Sequence, residues 1–80
     1  MTDSTLQRLQ EVFRAALELP PDAGVSHLHR ESASNWDSVA HVLLVSGLEN
    51  EFGVTIDTSD SLRVDSFDMA RTVLAERGVA

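Results

Sequence analysis

Three residue types that together perform acyl-transfer chemistry stand within five positions of one another: Asp37, Ser38 and His41. On a helix, Ser38 and His41 are three apart and could bring their Cβ atoms to about 5–6 Å. A working triad also needs the base oriented by the acid, an oxyanion hole and a substrate cleft. A chain of 80 residues has little room to build them, and His41 falls near the apolar arc of its helix, as a half-buried structural side chain would. No catalysis is expected. Ser38 is privileged for another reason. Asp-Ser sits where a polar loop gives way to an apolar helical pattern, so Asp37 or Ser38 is a natural N-cap. A side chain there is held by a rigid element yet faces water. Free backbone N–H groups and the macrodipole also favour an anion at that point.

Other groupings carry less. His27 and His29 alternate in the loop before Ser38, with no third ligand near them, and are read as exposed loop histidines rather than a metal site. The run Asp57-Thr58-Ser59-Asp60-Ser61-Leu62 resembles a calcium loop only faintly, because Leu62 stands where the sharp turn needs glycine. With no cysteine there is no disulfide, thiolate metal site or thiol nucleophile.

The net charge of −7 argues against a nucleic-acid partner, which needs a basic footprint. Between Arg30 and Arg63 there is no basic residue except His41, while Glu31, Asp37, Glu49, Glu51, Asp57 and Asp60 all fall there. This predicts an acidic face around Ser38 that steers basic partners toward it. The longest apolar run, Val42 to Val45, is far short of a membrane span, and no secretory leader is visible. A cytoplasmic monomer is the expectation.

The elements that position Ser38 follow from periodicity. Ser4-Thr5-Leu6-Gln7 has the capping-box pattern, and Leu6, Leu9, Val12, Phe13, Ala16 and Leu17 form an amphipathic stripe ended by Pro20-Pro21. A long connection follows to Asp37, with Val25 and Leu28 as anchors. Trp36 reads as a cap over the bundle, with a contact beside Ser38 as the other possibility. Val54 and Ile56 tuck an extended link onto the core, Asp57 caps a short helix that ends near Val64, and a last helix opens at Asp65 or Ser66. Its buried stripe is Phe67, Ala70, Val73 and Leu74, and Gly78 stops it. The expected fold is all-α over residues 1–80: a single domain of three main helices and one short one, with a long first loop.

On a wheel of about 100° per residue, Val42, Leu44, Val45, Leu48 and Phe52 fall on the core arc of the second helix. Val39, Ala40 and Leu43 fall opposite, with Gly47 and Asn50. An exposed apolar patch sharing a face with Ser38 is a candidate contact surface. Glu49 and Glu51 would stand at its rim, and Trp36 beside it.

Asp37-Ser38-Val39, followed by a helix ending Leu48-Glu49-Asn50-Glu51-Phe52-Gly53, resembles the acyl carrier protein family over essentially the whole chain. That resemblance implies a four-helix bundle and a 4′-phosphopantetheine arm on Ser38 of the Asp-Ser motif. It also implies acyl or aminoacyl thioesters on the arm. A phosphopantetheinyl transferase would install it from coenzyme A, and acyltransferases, ligases or synthases would act on the cargo. With no lysine in the chain, no side-chain amine of its own could capture a thioester. The family tends to place acids two and five residues after the serine, where this chain has Ala40 and Leu43, and a small residue where it has Trp36. Those departures, with the chain's short length and acidity, lean toward a discrete carrier of a specialised pathway. Polyketide biosynthesis comes first, a peptidyl or aminoacyl carrier of nonribosomal peptide synthesis second. An unmodified helical adaptor is the alternative from another class.

Overall fold

A computed structural model describes residues 1–80 as four helices: α1 (Asp3–Ala16), α2 (Ser38–Phe52), α3 (Thr58–Arg63) and α4 (Phe67–Glu76). No sheet forms. Each helix begins on a side chain that accepts a backbone N–H two or three residues into the first turn, which satisfies a donor the helix itself leaves free. Asp37 caps α2, Asp57 caps α3 and Ser66 caps α4. At α1 the cap is Thr2 rather than Ser4, with its hydroxyl accepting the Thr5 N–H at 3.1 Å. The expected Ser4–Gln7 capping box does not form, and the cap lies two residues earlier. Thr5 is buried and links Thr2 to the C-terminal residue, its hydroxyl donating to the Ala80 carbonyl.

The end of α1 also differs from expectation. The helix stops at Ala16, before the prolines can act. Glu18 turns into the left-handed region (φ 55°), and the Leu19 N–H returns to the Arg14 carbonyl at 2.8 Å. Pro20 then keeps the chain from resuming a helix.

The core is one cluster. Leu9, Phe13 and Leu17 come from α1, Leu44 and Leu48 from α2, and Phe67, Ala70, Val73 and Leu74 from α4; the loops add Val25, Trp36, Ile56 and Val64. Phe13 is its centre, edge-on to Trp36 (centroids 5.6 Å apart) and tilted against Phe67 (5.1 Å). α1 and α2 run antiparallel. Arg8, near the start of α1, bonds Glu51 near the end of α2, and Ala16 shares a pocket with Val39 at its beginning.

The long connection between α1 and α2 contains no helix. Val25 is buried and Leu28 packs against the core, as their apolar character predicts. Its backbone pairs antiparallel with the start of α4: the Arg30 N–H reaches the Asp65 carbonyl (2.7 Å), and the Phe67 N–H reaches the Leu28 carbonyl (3.1 Å). Anchored at these points, the loop delivers Trp36 and Asp37 to a fixed place.

Candidate functional site

Ser38 is the first residue of α2, and its side chain faces solvent. The capping work belongs to its neighbour. Asp37 Oδ1 accepts the Ala40 N–H at 2.8 Å, and the Asp37 carbonyl accepts the His41 N–H at 2.9 Å. The Ser38 hydroxyl is therefore not committed to holding the helix. The Ser38 and Val39 N–H groups have no partner inside the helix, which leaves the turn receptive to an anion. Either side of this turn is fixed. Trp36 and Ala40 are buried, and the Asn35 side-chain amide donates to the Leu17 carbonyl at the end of α1 (2.8 Å).

His41 does not serve Ser38. The Trp36 indole N–H can only donate, and it lies 3.1 Å from His41 Nδ1. Nδ1 must accept, so the proton sits on Nε2, which donates to the Ser61 carbonyl at 2.9 Å with the Ser61 hydroxyl at 3.3 Å. Both ring nitrogens are taken, and no base is left for the serine. Burial holds this imidazole below its ordinary pKa of 6.5, the Ser61 carbonyl pulls the other way, and the charge of Arg30 adds to the depression. His41 is a neutral bridge between the first loop, α2 and α3. The sequence suggested a half-buried structural histidine, but not its partners.

The face of α2 beside Ser38 is apolar, though composed differently from the wheel. Val39 and Leu43 are exposed as expected, at 70% and 56%. Val42, assigned to the core, is 64% exposed, whereas Ala40, assigned to the outer face, is buried with His41. The reason is that apolar side chains are spread almost evenly around α2, so periodicity defines no sharp inner arc and the neighbouring elements choose it. Trp36 is also removed from the candidate contact residues. It is 3% exposed, and its indole is spent on Phe13 and His41. Leu62 of α3 joins the exposed apolar side chains at 70%, and nothing in its polar surroundings signals that.

The acids need correction as well. Glu49 does not stand free at a rim: its Oε2 accepts the Ile56 N–H at 2.8 Å and ties the extended link to α2. Glu51 pairs with Arg8 at 3.0 Å, and that guanidinium lies over the Phe52 ring. Asp60 is met by both Arg63 and Arg77. Arg63 also forms a two-pronged pair with Glu76 of α4, holding that carboxyl below its usual range. Of the six acids between Arg30 and Arg63, Glu51 and Asp60 are thus answered by arginines distant in sequence. Asp37 and Glu18 line one hollow beside the start of α2.

No protein-family model matches the chain. Among curated proteins it is similar to acyl carrier protein 3, chloroplastic, of Cuphea lanceolata, with 31% identity over 88% of this chain and 49% of that protein. Acyl carrier protein 4, chloroplastic, of the same plant is 28% identical over 92% of this chain and 56% of its own length. Over most of its own length the chain is similar to acyl carrier proteins. It spans about half the length of the curated relatives it matches. At Asp37-Ser38-Val39, where the resemblance would put the attachment motif, the residues present fit a phosphopantetheine arm. The hydroxyl is exposed and uncommitted, a phosphate would meet free N–H groups, and the helix start is braced by buried neighbours.

Proposed function

We propose that this chain is an acyl carrier modified on Ser38. The Ser38 oxygen would attack the phosphorus of coenzyme A that bears the pantetheine. This forms a phosphodiester and breaks the phosphoanhydride; the hydroxyl proton is lost and 3′,5′-ADP leaves, under a separate phosphopantetheinyl transferase. When bound, the arm supplies a terminal thiol that holds acyl or aminoacyl groups as thioesters. The chain's own residues position and present: Asp37 caps the turn, while Ala40, Trp36 and His41 fix it to the core. One observation carries this reading: the motif serine is exposed at the start of a helix whose capping is done by another residue.

Partner enzymes of the pathway would dock on the exposed apolar side of α2, with Val39, Val42 and Leu43 as contacts. An aliphatic side chain where the family tends to carry an acid, at Leu43, favours partners that read apolar surface more than charge. This supports a specialised pathway, polyketide or nonribosomal peptide assembly among them. Mass spectrometry after incubation with coenzyme A and a promiscuous transferase tests the attachment. One phosphopantetheine should add to the chain and none to Ser38→Ala. Modification that survives the substitution would move the site elsewhere, with Ser34 and Ser46 next to examine. Leu43→Glu should then weaken binding of a cognate pathway enzyme by about 1–2 kcal/mol with the fold intact.

A further inference from the structure

Trp36 and His41 straddle Ser38 at the two positions that fix how a chain enters a helix. With Asp37 as the cap of α2, Trp36 stands just before the cap and His41 is the fourth helical residue. Apolar side chains at these positions commonly pack together as a staple that sets the entry angle. Here the staple is polar. The indole N–H donates to His41 Nδ1 at 3.1 Å, and the two rings stack with centroids 6.2 Å apart and planes inclined by 26°. The far edge of the imidazole is tied to α3, where Nε2 donates to the Ser61 carbonyl at 2.9 Å. Both rings are buried, so water is poorly placed to replace either partner. A neutral imidazole offers one acceptor and one donor, and this site uses both; an imidazolium has two donors and no acceptor. A proton added to Nδ1 would set donor against donor at Trp36 and leave the bond to Ser61 in place.

We propose that His41 is a positioning residue for the modification of Ser38: neutral, it staples Trp36 and holds the turn as the transferase must meet it, and protonated, it releases Trp36 and lets the turn loosen. The consequence for loading rests on the carrier reading above; the staple itself does not. The groups around the ring decide when it takes the proton. Burial and the charge of Arg30, from the first loop, both oppose it, while the Ser61 carbonyl favours it, and the balance keeps the ring below its ordinary 6.5. His29, Arg30, Glu31 and Asp65 surround a hollow that Trp36 also lines, so they bear on the indole side. On α2, Asp37 is committed to the Ala40 N–H; on α3, Asp60 is engaged by Arg63 and Arg77.

Two measurements test this. On the ¹⁵N-labelled parent, imidazole and indole signals are followed from pH 7.5 to 5. His41 should carry its proton on Nε2 at pH 7.5 and titrate below 6.5, and the Trp36 indole N–H should shift with the same midpoint. An Nδ1-protonated ring at pH 7.5, a ring still neutral at pH 5, or an indole signal indifferent to the titration would overturn the proposal. Loading is then compared between the parent and His41→Gln, whose amide can accept from the indole and donate to Ser61 without titrating. Coenzyme A and one promiscuous transferase serve both, so the enzyme's own pH dependence cancels in the ratio of their kcat/KM values. That ratio should fall by about threefold or more as the ring protonates, mainly through KM, because fewer chains present the competent turn. A ratio unchanged while the ring titrates would leave His41 a structural residue only and would also overturn the proposal. If no arm is added to Ser38 at any pH, the carrier reading fails, while the ring signals still decide whether the staple opens.

Discussion

The seams on either side of α2 are both lined by α2's apolar residues, yet they are built on opposite principles. The α3 side is joined through a polar key, a histidine whose two nitrogens are satisfied by an indole and a carbonyl. The α1 seam holds together through Leu9, Phe13 and Leu48 below, and stays hollow above, where small residues replace large ones. Apolar content does not distinguish them. What separates a closed seam from an open one is side-chain volume and whether a buried polar group finds partners.

The contrast is sharpest between adjacent residues of α2. Leu44→Ala should cost about 2–5 kcal/mol in denaturant unfolding, because it empties a fully buried site. Leu43→Glu, one position away, should stay within about 0.5 kcal/mol of the parent, as exposed substitutions do. Equal losses would mean that the wall of the hollow is part of the core.

Next comes the polar key. His41→Phe leaves the Trp36 N–H and the Ser61 carbonyl without their partner, at about 1–3 kcal/mol. His41→Gln can still accept from one and donate to the other, and should lose less. The two forms separate further with pH. The folded-state pKa of His41 lies below 6.5, so between the two values the unfolded chain binds the extra proton. Stability from this ring is therefore complete above pH 6.5 and declines as pH falls below it, until the folded ring protonates too. Unfolding midpoints between pH 7 and 5 should fall more steeply for the parent than for His41→Gln. Parallel slopes would remove His41 as the source.

At the helix start, Asp37→Ala should cost about 1 kcal/mol and Ser38→Ala only a few tenths, since the carboxylate and not the hydroxyl caps α2. A reversal, measured by thermal unfolding, would show that the serine is not uncommitted. A small effect is expected at the rim. Glu51→Gln removes an exposed pair with Arg8 and should change stability by about 0.2–1 kcal/mol, less at high salt.

Much of this was determined by the sequence alone, because it depended on local rules. The stripe of α4, the capping of α3 by Asp57, the burial of Ile56 and the place of Ser38 follow from periodicity, capping chemistry and a motif. Each of these acts within a few residues. Elsewhere local signals competed. Thr2 and Ser4 both offer a capping hydroxyl, and the choice went to the one whose first turn also buries Thr5 against Ala80. Only tertiary structure could set the phase of α2, where Ala40 turned inward and Val42 outward, since a helix apolar on all sides has no inner face until neighbours are packed against it. The same holds for charge. Arg8 with Glu51, Arg63 with Glu76 and Arg77 with Asp60 are neighbours across the fold, 43, 13 and 17 residues apart in the chain. Pairs at such distances are made by the path of the backbone, and no window of sequence contains them.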